Sequence, residues 1–427
     1  MLCFVYVLNF LDRQLLSILA KPIQDELQVT DGQLGRIGGL YFALFYCLIS
    51  IPVAWFADRT NRVRVLSFAC AIWSAATVAC GFSANYPQLV AARMMVGVGE
   101  AGGVPPSYAI ICDYFAPGRR GTALGLFNLG PPLGQALGVA FGASIAAAYS
   151  WRSAFVALGA VGIVAAVMVY LLVREPVRGG LDKTPIAQPP LHNSPALPPA
   201  AAGFRATVAM FFSRPVLLMV SLACGATQFV TYATLNFTTL FLMREKGMTL
   251  TEIAIYYALL IGVGICAGMY VSGRLIDRFA PRSKQAYALV PAVALVLAIP
   301  FFVGFVWAPT WPLALLFLAG PTFLNYFYLS PSVALVQEEV RPQERVLSGA
   351  LLLLVMNLIG LGLGPTYLGA VSDLLRESHP DNSLQLAFYS LTPFYALAAF
   401  LFLLLGRRLR REEGAIGDKI AWSEVKT

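Results

Sequence analysis

Apolar residues run along the chain in stretches long enough to span a bilayer, at roughly 1–20, 34–57, 64–84, 87–112, 120–147 and 152–173. A second set follows at roughly 212–243, 250–273, 285–307, 311–337, 346–372 and 384–406. A helix crosses about 30 Å of hydrocarbon with about 20 residues, so each stretch predicts one membrane helix. The pattern therefore predicts an all-α integral membrane protein with twelve helices in two halves of six. Residues 1–173 form the N-terminal bundle, 174–211 a linker, 212–406 the C-terminal bundle and 407–427 a tail. The linker contains A-Q-P-P-L-H-N-S-P-A-L-P-P-A-A-A, which cannot insert as a helix.

Polar breaks in this pattern carry the information. The fourth stretch contains R-M-M-V-G-V-G-E-A-G-G-V-P-P-S-Y (Arg93–Tyr108). Arg93 and Glu100 are seven residues apart, two turns along one helical face. Each charge costs roughly 2.5–3.5 kcal/mol at mid-bilayer on insertion scales, and an intramembrane charge is by default a functional-site hypothesis. The glycines between them let a neighbouring helix approach closely. The first stretch places Tyr6, Asn9, Arg13 and Ser17 on one stripe, with Asp12 about 100° away from Arg13. Asp12, Arg13, Arg93 and Glu100 together sum to zero charge.

Composition agrees with the pattern. The 427 residues are 58% hydrophobic, with mean hydropathy +0.71 and only 12% charged. Soluble chains carry about a quarter charged residues. The net charge of +8 is no nucleic-acid footprint, because the basic residues fall in short gaps between apolar stretches. Counted by side, 22 of the 30 Lys and Arg lie on one face of the membrane, which places both termini in the cytoplasm by the positive-inside rule. The start is not a signal peptide, since it lacks a basic region and Asp12-Arg13 interrupts its apolar core. Met1 already lies in an apolar stretch, which leaves room for a cytoplasmic leader ahead of it. The seven cysteines lack CxxC spacing and read as packing residues.

The halves repeat. A-W-F-A-D-R-T-N-R-V-R (Ala54–Arg64) follows the second stretch, and G-R-L-I-D-R-F-A-P-R-S-K (Gly273–Lys284) follows the eighth. The fifth has N-L-G-P-P-L-G (Asn128–Gly134), and the eleventh L-G-L-G-P-T-Y (Leu361–Tyr367). The Asp-Arg loops, the R-x-x-x-G-x-G helix and the G-P fifth span in a six-plus-six layout resemble the major facilitator superfamily, with Ala54 where its loop pattern prefers glycine. N-F-L-D-R (Asn9–Arg13), G-V-G-E-A (Gly97–Ala101), C-D-Y-F-A-P-G-R-R-G-T-A-L-G (Cys112–Gly125) and W-R-S-A-F (Trp151–Phe155) resemble bacterial spinster-type members. Organic anion:cation symporters also carry an N-x-x-D-R first span and a G-x-x-E-A fourth span.

The spinster resemblance implies proton-linked transport of a sphingolipid or lysophospholipid type of substrate. The symporter resemblance implies uptake of small carboxylates or sugar acids. Asp12 and Glu100 are then expected to carry the proton, and Asn9, Arg13, Arg93, Asn128, Gln228, Tyr232, Asn325 and Tyr326 to contact substrate. Asp58, Arg59, Arg62, Gly273, Asp277 and Arg278 are expected to form gates between the halves. A static ion network locking the first and fourth spans is the alternative reading of the four charges. The polar residues of the second half either line the path or join helix to helix. The repeat Gly130, Gly134, Gly138, Gly142 beside Pro131-Pro132 predicts a packing face with a bend, although the superfamily associates this motif with antiport.

Gly97–Gly102 matches G-x-G-x-x-G, but without a preceding strand it is no dinucleotide fingerprint. His192 and His379 lie in the linker and a loop, so neither metal nor cofactor is expected, and the chain is not read as an enzyme. The expected setting is the bacterial inner membrane, and the expected partners are an amphipathic substrate, protons and lipids, with the protein a monomer.

Overall fold

The structure is a computed structural model, in which residues 1–57, 59–115, 119–177, 204–341 and 344–424 are described. Described helices long and apolar enough to cross a membrane number nine. They are α3 (Asp31–Ala57), α4 (Arg62–Gly81), α9 (Trp151–Leu172), α11 (Pro215–Arg244), α12 (Leu250–Phe279), α13 (Ala286–Trp307), α14 (Trp311–Glu339), α15 (Leu347–Arg376) and α16 (Ser383–Glu413). A tenth span joins α1 (Leu2–Ile18) to α2 (Ala20–Leu27) across a 50° bend.

The fourth and fifth spans are each broken in two, which is why neither passes as one long helix. α5 (Tyr86–Glu100) gives way to α6 (Val104–Tyr114). Three tight turns close its end, with the amides of Ala101, Gly102 and Gly103 donating to the carbonyls of Gly97, Gly99 and Glu100. Pro105 and Pro106 sit in the first turn of α6, where missing amide donors do least harm. α7 (Arg120–Phe127) likewise gives way to α8 (Gly130–Ala148), whose first turn holds Pro131 and Pro132. The stretches at 87–112 and 120–147 are thus each broken at paired prolines, the second where a bend was expected beside Pro131-Pro132 and the first where none was. A short helix, α10 (Phe204–Ser213), precedes α11.

Small residues set how closely the helices pack. A Cβ on Gly99 would lie 2.5 Å from the backbone nitrogen of Trp73, and one on Gly97 2.8 Å from the carbonyl oxygen of Phe42. α5 is therefore pressed against both α4 and α3. The four glycines of α8 face α1 as the repeat predicts. A Cβ at Gly134 would meet the Val7 carbonyl oxygen at 2.4 Å, and one at Gly138 the Leu11 carbonyl oxygen at 2.9 Å.

The halves meet at one end of the molecule. At that end α3 and α15 pack so tightly that a Cβ on Gly35 would lie 2.3 Å from the Pro365 carbonyl oxygen, and one on Gly39 2.7 Å from that of Gly362. Both helices carry a widened π-helical turn there, Ile37–Tyr41 and Leu358–Leu363. A polar latch closes the same end. Arg244 donates to both carboxylate oxygens of Asp31 at 3.0 Å, the Ser372 hydroxyl donates to Asp31 Oδ2 at 2.6 Å, and the Gly32 amide donates to Asp373 Oδ2 at 2.9 Å. Ser17, Leu40 and Gln135 also hydrogen-bond to the second half. At the opposite, arginine-rich end, a Cβ on Gly125 or Gly273 would meet nothing within 4 Å.

Candidate functional site

The four charges come together at mid-height as two separate ion pairs. Arg13 Nε donates to Glu100 Oε2 at 2.7 Å, and Arg93 Nη1 donates to Asp12 Oδ1 at 3.5 Å. Neighbouring residues on α1 point too far apart to neutralise each other, so each takes its partner from α5. The Thr77 hydroxyl of α4 donates to Asp12 Oδ2 at 2.6 Å. Three of the four charged side chains are almost wholly buried, while Arg13 retains 11% exposure. Arg13 is the member of the set that faces the space between the halves.

The break after α5 places Glu100 at a helix end. One carboxylate oxygen holds Arg13, and the other, Oε1, is buried without a hydrogen-bond partner. Both amide atoms of Asn9 and Arg93 Nε are likewise unpartnered. A buried carboxylate with one bare oxygen is poorly compensated, and buried polar networks are stable only when their members are satisfied. The network therefore keeps unsatisfied polar atoms at Glu100, Arg93 and Asn9.

Around Arg13 stands an aromatic box. Its guanidinium lies 4.8 Å from the Phe10 ring centre, 5.1 Å from Phe42 and 4.9 Å from Tyr46. From the opposite half, Tyr232 lies near enough to Arg13 for the two to interact electrostatically. A second cross-half contact joins Tyr326 to Gln135 at 3.3 Å. A third is made by Ser17, whose hydroxyl lies 2.9 and 2.8 Å from the carbonyl oxygens of Leu235 and Asn236.

The other expected contact residues are scattered by comparison. Asn128 accepts a hydrogen bond from the Tyr108 hydroxyl at 2.6 Å, beside the stacked pair Tyr6 and Phe127. Gln228 is buried against α15, where a Cβ on Gly360 would lie 2.2 Å from its Cβ. Asn325 is buried in the second half and donates to the Tyr395 hydroxyl at 2.9 Å. The polar stripe on α1 thus splits, with Tyr6 packing on α8, Arg13 on α5 and Ser17 on α11.

The loop motifs lie at the arginine-rich end. Asp58 lies outside the described residues. Arg59 folds back over its own Trp55 ring at 3.9 Å. Arg62 donates to Asp113 at 2.5 Å, within its own half. Gly273 has open space around it, and Asp277 and Arg278 are exposed.

Sequence reasoning did not identify Phe42, Tyr46, Thr77, Gln135 or the Asp31–Arg244 latch. Thr77 carried little signal, since Ser67 and Ser74 place other hydroxyls in the same apolar run of α4. Asp31 and Arg244 lie beside loops, where a charge is ordinary.

A polytopic helical protein with two six-helix halves, broken fourth and fifth spans and a polar centre between the halves defines a transporter of the major facilitator class. The chain belongs to the Major Facilitator Superfamily, whose family model matches residues 2–365. Within it, the chain is related to spinster proteins. It superposes with a TM-score of 0.85 on the crystal structure of a bacterial homolog of the human lysosomal transporter Spinster, in an inward-facing and unoccupied conformation, at 30% identity over 96% of each chain. It is 27% identical to protein spinster homolog 1 of Mus musculus, over 95% of this chain and 78% of that protein. It is also 32% identical to an MFS-type efflux pump of Mycolicibacterium smegmatis, over 96% of this chain and 92% of that protein. A hexuronate transporter of Bacillus subtilis is 24% identical over 86% of this chain and 85% of its own length.

Proposed function

We propose that this protein is a proton-coupled secondary transporter that carries an anionic, amphipathic, lipid-like substrate by alternating access. The observation that carries the reading is the Arg13–Glu100 pair, buried at Glu100, bare at one carboxylate oxygen and open to the central space at Arg13. Protonation of Glu100 removes the partner of Arg13 and leaves a positive charge beside the opening. An anionic headgroup then replaces the carboxylate. Asp12 is the second proton carrier, held by Arg93 and Thr77. The interior of the second half presents tyrosines, threonines and amides without charge, which suits a molecule with one charged end and an apolar remainder. The spinster-like motifs of the sequence, Asn9–Arg13 and Gly97–Ala101, imply the same substrate class.

The protein is a monomer in the bacterial inner membrane with both termini cytoplasmic, so that the latched end of Asp31 and Arg244 faces outward. Two halves closed at that end and separated at the other correspond to an inward-facing state. In the opposite state the latch opens, while Asp58, Arg59 and Arg62 with Gly273, Asp277 and Arg278 close the cytoplasmic end. A second reading, symport of small carboxylates or sugar acids, draws on the hexuronate transporter.

The deciding experiment reconstitutes the protein in liposomes and imposes a pH gradient. Movement of 1-oleoyl lysophosphatidate or sphingosine phosphate, with glucuronate left behind, supports the first reading. Movement of glucuronate alone replaces it with the second.

A further inference from the structure

The uncharged half contains a polar feature that the proton and headgroup chemistry leaves unused. A chamber of about 30 Å³ lies between α11, α12 and α14, with Thr231, Thr234, Thr238, Tyr257, Asn325 and Tyr326 among its lining. Several of these groups have partners. The Thr231 and Thr238 hydroxyls donate to the carbonyls of Thr227 and Thr234, and the Asn325 amide nitrogen donates to Tyr395. Two atoms do not. Thr234 Oγ1 and Asn325 Oδ1 have no hydrogen-bond partner, although their residues are only 5% and 4% exposed.

The chemistry of the lining selects the ligand. Asn325 Oδ1 only accepts, so its partner must be a donor, and a threonine hydroxyl can both donate and accept. No carboxylate lines the chamber, so a bare cation would be buried without a counter-charge, which is strongly unfavourable. The volume exceeds what one water needs, and the polar partners match what a water requires. Tyr326 lies at the rim and reaches the other half through Gln135. Tyr232, which lies near Arg13, follows Thr231 directly on α11.

We propose that this chamber binds a neutral hydroxyl: a water in the substrate-free transporter, and a hydroxyl group of the substrate during transport. Asn325 Oδ1 accepts the hydroxyl proton and Thr234 Oγ1 completes the site. The substrate part rests on the reading that an anionic amphiphile enters beside Arg13. The chamber then adds a selection rule, because a substrate lacking the hydroxyl displaces the water and leaves Asn325 unpartnered.

The test has two arms. In proteoliposomes, 1-oleoyl lysophosphatidate is compared with its 2-deoxy analogue in the wild type, Thr234→Val and Asn325→Leu. The expected result is a preference for the hydroxylated lipid on the order of tenfold in the wild type, falling to about one in both variants. Thr234→Val preserves the Asn325–Tyr395 bond, so it separates loss of the site from loss of packing. The second arm needs no transport: a substrate-free cryo-EM map that resolves ordered waters should show one within hydrogen-bonding distance of Asn325 Oδ1. An unchanged preference in both variants overturns the substrate site, and a dry chamber in such a map overturns the water site. If neither lipid moves at all, the amphiphile reading fails with the substrate site, and the map alone decides the water site.

Discussion

The two halves share a helical plan but solve their interiors differently. In the N-terminal half, Asp12, Arg13, Arg93 and Glu100 are buried as two ion pairs with unpartnered atoms at Glu100, Arg93 and neighbouring Asn9. In the C-terminal half, the corresponding depth is filled by Gln228, Tyr232, Asn325 and Tyr326, with hydroxyl and amide contacts such as Asn325 to Tyr395. Charge transfer out of water is costly, and buried pairs recover that cost only with good geometry. A chain that keeps four such charges in one half and none at that depth in the other has separated two tasks. The proton carriers we propose thus lie in one half, and the other carries uncharged polar groups at that depth. Ser17, Tyr232 and Tyr326 are where the two meet.

Breaking the charged half has the largest expected effect. Arg93→Ala leaves Asp12 buried with only Thr77, and Asp12→Ala leaves Arg93 bare; each should destabilise the protein by about 3–5 kcal/mol. Melting in detergent should fall accordingly for either single variant, and the double variant should lose less than the sum of the two. Full additivity would mean that the 3.5 Å contact between them contributes nothing.

Introducing a charge into the neutral half is the converse test. Gln228 is 5% exposed and backed by Gly360. Gln228→Glu should cost several kcal/mol, because the Oε1 atom there is already buried without a hydrogen-bond partner and a carboxylate would be poorly solvated. A melting temperature equal to the wild type at neutral pH would show that the second half tolerates charge, and the contrast between the halves would collapse.

The latch that joins the halves comes next. Arg244→Ala strands Asp31, which is wholly buried, and the closed end should open by a population shift of about 3 kcal/mol. Distances between spin labels placed on the ends of α2 and α15 should lengthen. No change would assign the closed end to the glycine contacts of α3 and α15 alone.

Smallest is Ser17→Ala. It removes one hydroxyl that approaches two carbonyl oxygens, and should cost about 1 kcal/mol with a modest change in transport rate.

Much of this contrast was legible in the sequence. Charges within apolar runs stand out against their background, so Asp12, Arg13, Arg93 and Glu100 were found without a structure, and the second half read as nearly uncharged. The glycine repeat of α8 predicted its packing face because spacing by four is a property of one helix. Pairing was not legible. That Arg13 takes Glu100 while Arg93 takes Asp12 depends on the rotation of α1 against α5, which no local pattern encodes. The aromatic box was hidden for a related reason: Phe42 and Tyr46 look like any lipid-facing aromatics until α3 is packed in place. The breaks in the fourth and fifth spans were signalled by Pro105-Pro106 and Pro131-Pro132, but hydropathy alone carried the spans through them. The latch joins Asp31 and Arg244 across 213 residues, and no local pattern links them.

The most direct test of the proposed mechanism is proton movement across liposomes holding the wild type or Glu100→Gln, triggered by adding 1-oleoyl lysophosphatidate. A glutamine keeps the shape and a hydrogen-bonding oxygen for Arg13 but cannot take up the proton. The account predicts lipid-dependent proton flux in the wild type and its loss in Glu100→Gln, with lipid binding retained. Equal flux in both proteins would contradict it, and would leave the Arg13–Glu100 pair as a structural lock between α1 and α5.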